Sequence, residues 1–163
     1  MNRFVARVLR TPFLRSLLPA ILIAVGLPSS AAVPEFDLAN YRGQVVLVDF
    51  WASWCSSCSR AFPVLNELQR ELRVGDFRVL GVNLDEDPAA ALAFLERNPA
   101  EFDLASDPSG GCPSAFGLEG MPTAYLIDRA GIVRATIEGF RPGELRELRE
   151  VIEELLALPG GGS

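Results

Sequence analysis

The stretch VVLVDFWASWCSSC, residues 45–58, joins a run of strand-forming residues to a closely spaced pair of cysteines. Its first six residues are apolar except for Asp49, and such a run is typical of a central strand that is buried on both faces. After the second cysteine, apolar residues recur at steps of three and four, which predicts a helix from about Ser56 to Arg73. We therefore expect Cys55 and Cys58 to lie where a strand ends and a helix begins.

This location gives the two cysteines a specific chemistry. A thiolate at a helix N-terminus faces unpaired backbone N–H groups and the positive end of the helix dipole, so its pKa falls. Because the thiolate is the attacking form, Cys55, the outer of the two, is the expected nucleophile, and Cys58 is expected to resolve the mixed disulfide. Two other interpretations are open, a plain structural disulfide and half of a metal site. A structural zinc ion needs four ligands, whereas the chain offers this pair, the distant Cys112 and no histidine.

The rest of the chain alternates between strand-like and helix-like patterns. Apolar runs predict strands, and apolar residues at steps of three and four predict helices. The predicted strands cover residues 77–83, 102–105, 123–128 and 132–138, and the predicted helices cover residues 87–97, 110–116 and a final segment from about 143. The strand–helix–strand unit calls for a parallel pair, and the closing strand–strand–helix unit calls for a hairpin with a covering helix. The sequence therefore predicts an α/β sandwich with helices on both faces of one mixed sheet.

Three motifs resemble the thioredoxin superfamily. The segment VDFWASWCSSC at residues 48–58 resembles its active-site strand and loop, Pro63 matches the proline that kinks its active-site helix, and Met121-Pro122-Thr123 resembles its cis-proline loop. The resemblance extends over about residues 36–156. It implies a thioredoxin-like three-layer sandwich and a protein-disulfide oxidoreductase that needs no cofactor or metal beyond its cysteine pair.

Within that superfamily, the chain is most similar to exported oxidoreductases of the TlpA/ResA type, a group that includes reductases of cytochrome c maturation. The lead-in at residues 41–48, the insertion at 88–116 and the segment DRAGIV at 128–133 carry this similarity. It implies a periplasmic or cell-envelope reductant that acts on disulfides of partner proteins and is re-reduced by a membrane-embedded thiol donor. The dipeptide Ser56-Ser57 lacks the proline that is common in this group, so an oxidant that inserts disulfides is an alternative.

The resemblance also assigns the residues around the cysteine pair. A cis Pro122 would expose the backbone of Met121, and an extended substrate segment would pair there, beside Thr123. Trp54 is expected to cover an apolar docking face. Asp49, where exported members often carry asparagine, is expected to be a buried carboxyl with a raised pKa that accepts the proton of the resolving cysteine. The simpler alternative is a buried carboxyl that only binds water or backbone.

The first 32 residues differ in composition from the rest. Four arginines are followed by the apolar run SLLPAILIAVGL at residues 16–27, and then by small residues. This order is typical of an export signal, whereas about 20 apolar residues are needed to span a bilayer. We expect a signal peptide or an N-terminal membrane anchor at residues 1–32 and a thioredoxin-like domain at 33–163. Without residues 1–32, 11 arginines and 21 acidic residues remain, a formal net charge of −10.

Composition argues against several other function classes. The absence of histidine excludes Ser-His-Asp and Cys-His catalysis, and the formal charge of −6 disfavours nucleic-acid binding. A copper-binding or chaperone module that uses the same thiols is an alternative from another class, but after residue 32 the chain has no histidine and only one methionine, Met121. Cys112 is interpreted as a small hydrophobic residue, with a redox-active or intermolecular role as the alternative.

Overall fold

One mixed sheet of five strands forms the centre of the described chain. The computed structural model describes residues 36–72, 76–140 and 144–159, so the predicted leader at 1–32 lies outside the described residues. The strands are β1 (Val45–Trp51), β2 (Phe77–Asn83), β3 (Asp103–Ser106), β4 (Thr123–Ile127) and β5 (Val133–Glu138). The α-helices of the described residues are α1 (Ala61–Leu72), α2 (Pro88–Arg97), α3 (Gly111–Phe116) and α4 (Glu144–Ala157). The strands lie in the spatial order β3-β2-β1-β4-β5.

Strand β1 is the central strand, as its apolar sequence predicts. It pairs in parallel with β2 and antiparallel with β4, and all seven of its residues are buried. Strand β3 continues the parallel side of the sheet, and β5 forms the antiparallel hairpin with β4. Apart from the active-site helix, the elements lie within about one residue of their predicted bounds. The predicted α/β class and the mixed sheet are confirmed.

The side chains of β1 alternate between two faces, and each face has its own core. Leu47 and Trp51 belong to a core that is shared with residues of α1, α2 and α4. Val48 and Phe50 belong to a second core, which residues of α3 and of a 3₁₀ turn at Leu38–Tyr41 cover. The sheet is therefore the middle one of three layers. Strand β1 carries apolar side chains on both faces because both of its faces are covered.

The active-site helix begins later than the sequence predicts. Helix α1 starts at Ala61, and a 3₁₀ turn precedes it at Cys58–Arg60. The reason is Pro63, which has no N–H to donate. An α-helix from Ser56 would place this proline in its interior, where it would lose a hydrogen bond and clash with the carbonyl of Ser59. With the helix starting at Ala61, the proline lies in the first turn, where N–H groups have no intrahelical partner.

Arg129, in the turn between β4 and β5, caps the end of α4. Its guanidinium donates to the carbonyl oxygens of Leu155 at 2.8 Å and Leu158 at 3.0 Å. Its side chain is only 16% exposed. Because the last carbonyls of a helix lack intrahelical donors and form the negative end of its dipole, a shielded cation there stabilises the docked helix.

We expect Arg129→Met to lower the free energy of unfolding by about 2 kcal/mol, since hydrogen bonds to a charged group contribute about 1.5–3 kcal/mol. Urea unfolding measures the loss. The matched control is Arg146→Met, because Arg146 is exposed on the same helix, and its loss should stay within about 0.5 kcal/mol. Equal losses in the two variants would show that the cap at Arg129 contributes nothing beyond an ordinary surface charge.

Candidate active site

A disulfide bond joins Cys55 and Cys58 just beyond the carboxyl end of β1. The carbonyl of Ala52 accepts from the Cys55 N–H at 3.1 Å, and the carbonyl of Cys55 accepts from the Cys58 N–H at 3.1 Å, so the loop winds directly into the 3₁₀ turn. Cys58 is fully buried, whereas Cys55 is 6% exposed. The predicted position of the pair, between a strand and a helix, is confirmed.

A surface depression, the Cys55 hollow, opens beside this disulfide. Its lining consists of Trp54, Cys55, Ser56, Ser57, Leu84, Leu118, Glu119, Gly120 and Met121. Cys58 is not part of this lining, so the two sulfurs differ in their access to a partner molecule. Trp54 is 69% exposed at the hollow. The structure thus brings Trp54, Cys55 and Met121, three of the residues that the sequence singles out, to one surface.

The hydroxyl of Ser57 lies close to the outer sulfur. Its Oγ lies 3.5 Å from Cys55 Sγ. A hydroxyl at this position can turn its hydrogen toward a thiolate, which favours the charged form of the sulfur after reduction. The dipeptide between the cysteines therefore contributes a polar contact of its own.

The segment Met121-Pro122-Thr123 forms a loop that contributes Met121 to the hollow, and its Met121–Pro122 peptide bond is cis, as the resemblance implies. The carbonyl of Pro122 accepts from the Gly139 N–H at 2.8 Å, and the hydroxyl of Thr123 donates to the carbonyl of Gly120 at 2.9 Å. Among the described residues, Met121 forms no backbone hydrogen bond between these two anchors. Thr123 is buried, whereas Met121 and Pro122 are partly exposed.

Asp49 is a fully buried carboxyl in the middle of β1, opposite Gly81 of β2 and Ala124 of β4. Neither of its carboxylate oxygens has a hydrogen-bond partner among the described residues. Burial alone raises the pKa of Asp49 well above its usual range, because the charged form loses its water without gaining a donor. Its side chain lies on the same face of β1 as Trp51, and that face belongs to the core that contains Cys58.

Aromatic side chains pack around Trp51 and make this region of the core apolar. The indole packs against the rings of Phe62 and Phe94, with centroids 5.3 and 5.0 Å away. A Cβ on Gly81 would lie 3.2 Å from the indole Nε1 and 2.8 Å from the ring of Phe102, so this glycine makes room for both side chains. Trp51 is therefore a core residue beneath the site, and it helps to create the apolar surroundings that raise the pKa of Asp49.

Asp85 is a residue of the site that the sequence reasoning missed. Its carboxylate accepts from the backbone N–H of Ser53 at 2.8 Å and from the hydroxyl of Ser53 at 2.7 Å. It also accepts from Nδ2 of Asn83 at 2.7 Å, and it is only 6% exposed. Since Ser53 lies two residues before Cys55, this carboxylate fastens the loop that presents the outer sulfur. The one signal in the sequence is that Asp85 closely follows β2, a strand that ends at the same edge of the sheet.

We expect Asp85→Asn to destabilise the oxidised protein by about 2 kcal/mol, because a buried donor left without an acceptor costs about 1–3 kcal/mol. The amide would replace one accepting oxygen with an NH₂ group that faces the donors of Ser53 or Asn83. Denaturant unfolding measures the change. Glu86→Gln is the matched control, since the neighbouring Glu86 is exposed and should lose less than about 0.5 kcal/mol. A loss of that small size in Asp85→Asn would mean that the network does not hold the loop.

The remaining sequence expectations concern metals, membranes and Cys112. Across the described ranges, no cluster of three or more cysteine, aspartate or glutamate side chains is placed to hold a metal ion. Within the same ranges, no helix has the length and hydropathy to cross a bilayer. Cys112 is half-buried near the start of α3, packs against the second core, and its N–H donates to the carboxylate of Asp107 at 2.6 Å. Its predicted role as a small hydrophobic residue stays a prediction.

Comparison with known protein families shows which family has this sequence pattern. Residues 24–152 match the family described as Redoxin. The chain belongs to the redoxin family. The matched range includes β1, the disulfide, the cis-proline loop and most of α4.

Individual relatives of this redoxin carry names that agree with the site. It is 28% identical to the thiol-disulfide oxidoreductase ResA of Bacillus thuringiensis subsp. konkukian, over 75% of its own length and 67% of the relative's. It is 35% identical to the thiol:disulfide interchange protein DsbE of Pseudomonas fluorescens biotype C, over 68% and 61% of the two lengths. A crystal structure of a candidate DsbE from Chlorobium tepidum is 42% identical and superposes with a TM-score of 0.72, covering 77% of this chain and 92% of that one.

The aligned segments span 60–67% of the curated relatives named ResA and 61% of the one named DsbE. The fold, the cysteine pair at the end of β1 and these relatives together identify the redoxin as a thiol–disulfide oxidoreductase of the ResA/DsbE type. Its substrates, its electron donor and the direction in which it moves electrons are separate questions.

Proposed function

We propose that this redoxin reduces disulfide bonds of partner proteins outside the cytoplasm. The observation that carries the proposal is the asymmetry of the cysteine pair, in which Cys55 lines a surface hollow and Cys58 is fully buried. A substrate sulfur can approach the first sulfur but not the second. This is the arrangement that a two-step exchange needs, with one cysteine to attack the substrate and another to release it.

In the first step, the thiolate of Cys55 attacks one sulfur of the substrate disulfide. A bond forms between the two sulfurs, the substrate disulfide breaks, and its other sulfur leaves as a thiolate. In the second step, the thiol of Cys58 gives its proton to the carboxylate of Asp49 and attacks Cys55 Sγ. The second substrate sulfur then leaves as a thiolate, the substrate gains two electrons, and the protein is left with its Cys55–Cys58 disulfide.

The surroundings of the hollow suit a polypeptide substrate. The backbone of Met121 can pair with an extended segment that lies beside Cys55, since Met121 uses neither its N–H nor its carbonyl in a backbone hydrogen bond to another described residue. The exposed indole of Trp54, which lines the same hollow, offers apolar contact area. Pro122 and Thr123 hold the pairing segment in place through the bonds to Gly139 and Gly120.

The cellular setting that we propose follows from the N-terminal sequence. Residues 1–32 have the order of an export signal, which would place the mature chain in the periplasm or cell envelope, cleaved or anchored. A dithiol in that oxidising compartment stays reduced only if an electron donor feeds it. We propose a membrane-embedded thiol reductant as that donor, and cytochrome c maturation as one setting in which such a reductant would act.

The reduction potential tests the direction of transfer. Strong oxidants owe their power to a highly stabilised thiolate. This chain has no histidine to stabilise one, the buried Asp49 lies on the face of β1 that belongs to the core of the two cysteines, and Ser57 offers a single neutral hydroxyl. We expect a potential closer to the level of thioredoxin, about −270 mV, than to that of a strong oxidant, about −120 mV.

A redox titration of the purified protein against glutathione, followed by the fraction of the disulfide that is reduced, measures this potential. A value above about −180 mV, the level of protein disulfide isomerase, would overturn the reductant proposal and favour an oxidant that inserts disulfides.

A further inference from the structure

A second depression, which we call the Glu138 hollow, lies along the cis-proline loop and shares lining residues with the Cys55 hollow. The second depression is lined by Phe116, Gly117, Glu119, Gly120, Met121, Pro122, Thr123, Tyr125, Thr136, Glu138 and Gly139. Glu119, Gly120 and Met121 line both depressions, so the two adjoin along this loop, and together we call them the groove.

The charges along this groove are all of one sign. The described residues that line either hollow include two carboxylates, Glu119 and Glu138, and no arginine. Both side chains are exposed, and neither forms an ion pair with an arginine of the described residues. Arg60, in the turn that follows Cys58, is exposed and lies outside both linings.

Tyr125 shows that the two carboxylates act on the same part of the groove. This residue of β4 lines the Glu138 hollow. Burial raises the pKa of Tyr125 first of all, and the negative charges of Glu119 and Glu138 raise it further. The two acids come from different segments, one from the loop after α3 and one from the last position of β5. Both nevertheless interact electrostatically with the phenol of Tyr125.

A bound substrate segment would pass directly over these acids. A segment that pairs with the backbone of Met121 has its attacked cysteine at Cys55, and its next residues advance by about 3.3 Å each along the groove. Those residues would meet Glu119 first and then Glu138, which stands opposite Thr123 in the sheet. Acidic flanking residues would be repelled there, whereas lysine or arginine would meet two carboxylates that form no ion pair with an arginine of the described residues.

We infer that the groove selects protein disulfides in which the attacked cysteine is flanked by basic residues. This inference rests on the proposed reduction of partner disulfides and adds the chemical class of the substrate. The formal charge of the chain, −6 with residues 1–32 and −10 without them, acts in the same direction at longer range. Attraction of this kind mainly raises the association rate, and salt weakens it.

The test uses three short peptides that differ only in the residues around one cysteine, which are lysine, serine or glutamate. The cysteine of each peptide is blocked as a mixed disulfide with β-mercaptoethanol. Second-order rates of reduction by the reduced protein are measured near neutral pH at low salt and at about 0.5 M salt. Each rate is divided by the rate of the same peptide with dithiothreitol, a small reductant that has no binding groove and so corrects for the reactivity of the peptide itself.

We expect the corrected rate to be about tenfold higher for the lysine peptide than for the glutamate peptide at low salt, with most of the difference lost at high salt. In Glu119→Gln/Glu138→Gln the ratio should fall to about threefold or less. The control Glu96→Gln/Glu153→Gln removes the same charge from exposed sites on α2 and α4 and should keep the ratio of the unaltered protein.

Each outcome separates the inference from the proposed function. If all three peptides are reduced at equal corrected rates, or if both double variants lower the ratio equally, the groove does not select basic substrates, although the reductase proposal stands. If no peptide disulfide is reduced, the proposed function itself fails.

Discussion

The variant Cys58→Ser is expected to accumulate as a covalent complex with its substrate, and Cys55→Ser to form no complex. The reduced Cys55 of the first variant can still attack a disulfide, but nothing is left to release the mixed disulfide. The second variant loses the sulfur that lines the hollow and keeps only one that is fully buried. Steady-state reduction should fall by about 10³-fold or more in both, since removing either member of a unit that acts together abolishes its function.

Non-reducing electrophoresis after incubation with a disulfide substrate distinguishes the two variants. Cys112→Ser is the matched control, because Cys112 lies in the second core and should leave both turnover and complex formation unchanged. Alkylation of the reduced protein near neutral pH should also modify Cys55 much faster than Cys58. Equal rates, or complexes formed by Cys55→Ser, would contradict the assignment of the nucleophile.

The sheet could be predicted because the residues of its central strand carry a clear sequence signal of their own. The residues of β1 are apolar on both faces, and only a strand covered on both sides requires that pattern. Helix α2 is equally local, since Asp87 accepts from the Ala89 N–H at 2.9 Å and Pro88 opens the first turn. In each case the sequence signal lies within the element itself or within a few residues of it.

The features that escaped prediction depend on contacts between distant residues. Asp85 holds Ser53, 32 positions away, and becomes a partner only because β1 and β2 run in parallel and put Trp51 opposite Asn83. Helix α1 begins five residues later than the apolar spacing predicts, because an α-helix from Ser56 would hold Pro63 in its interior. Periodicity says which face of an element is buried, but not which polar groups meet across the edge of a sheet.

Asp49→Asn is expected to stabilise the folded protein by about 1–3 kcal/mol at pH 8 and by little near pH 4, because burying a charge without a donor is unfavourable. The pKa of Asp49 is raised well above its usual range in the folded state, so the folded protein binds the extra proton more tightly than the unfolded chain does. Stability then falls as the pH rises from the unfolded pKa, about 4, to the folded pKa. Asparagine has no charge to bury, so the variant should lack this fall.

Unfolding of the oxidised protein and of the variant at several pH values between 4 and 9 measures this difference. Asp103→Asn is the matched control, because it removes the same charge from a carboxyl that is exposed on β3 and not buried. If the stability of Asp49→Asn falls with pH as steeply as that of the unaltered protein, the buried carboxyl is not the source of the dependence.

The same substitution should slow the second step of the exchange while leaving the first almost unchanged. In the proposed exchange, Cys55 attacks from the surface hollow, whereas Cys58 must lose its proton in a buried core where Asp49 is the one acidic side chain on that face of β1. General-base catalysis of this kind contributes about 10²–10⁴-fold, so release of the mixed disulfide should slow by about 10²-fold. Single-turnover mixing of the reduced protein with a peptide disulfide separates formation of the mixed disulfide from its decay.

Asparagine keeps the shape and burial of the side chain, and only the proton acceptor is lost. Decay at an unchanged rate from pH 6 to pH 9 would therefore leave Asp49 a structural residue, and a stabilised variant with slow decay would show that the fold gives up stability to keep a base beside the resolving cysteine.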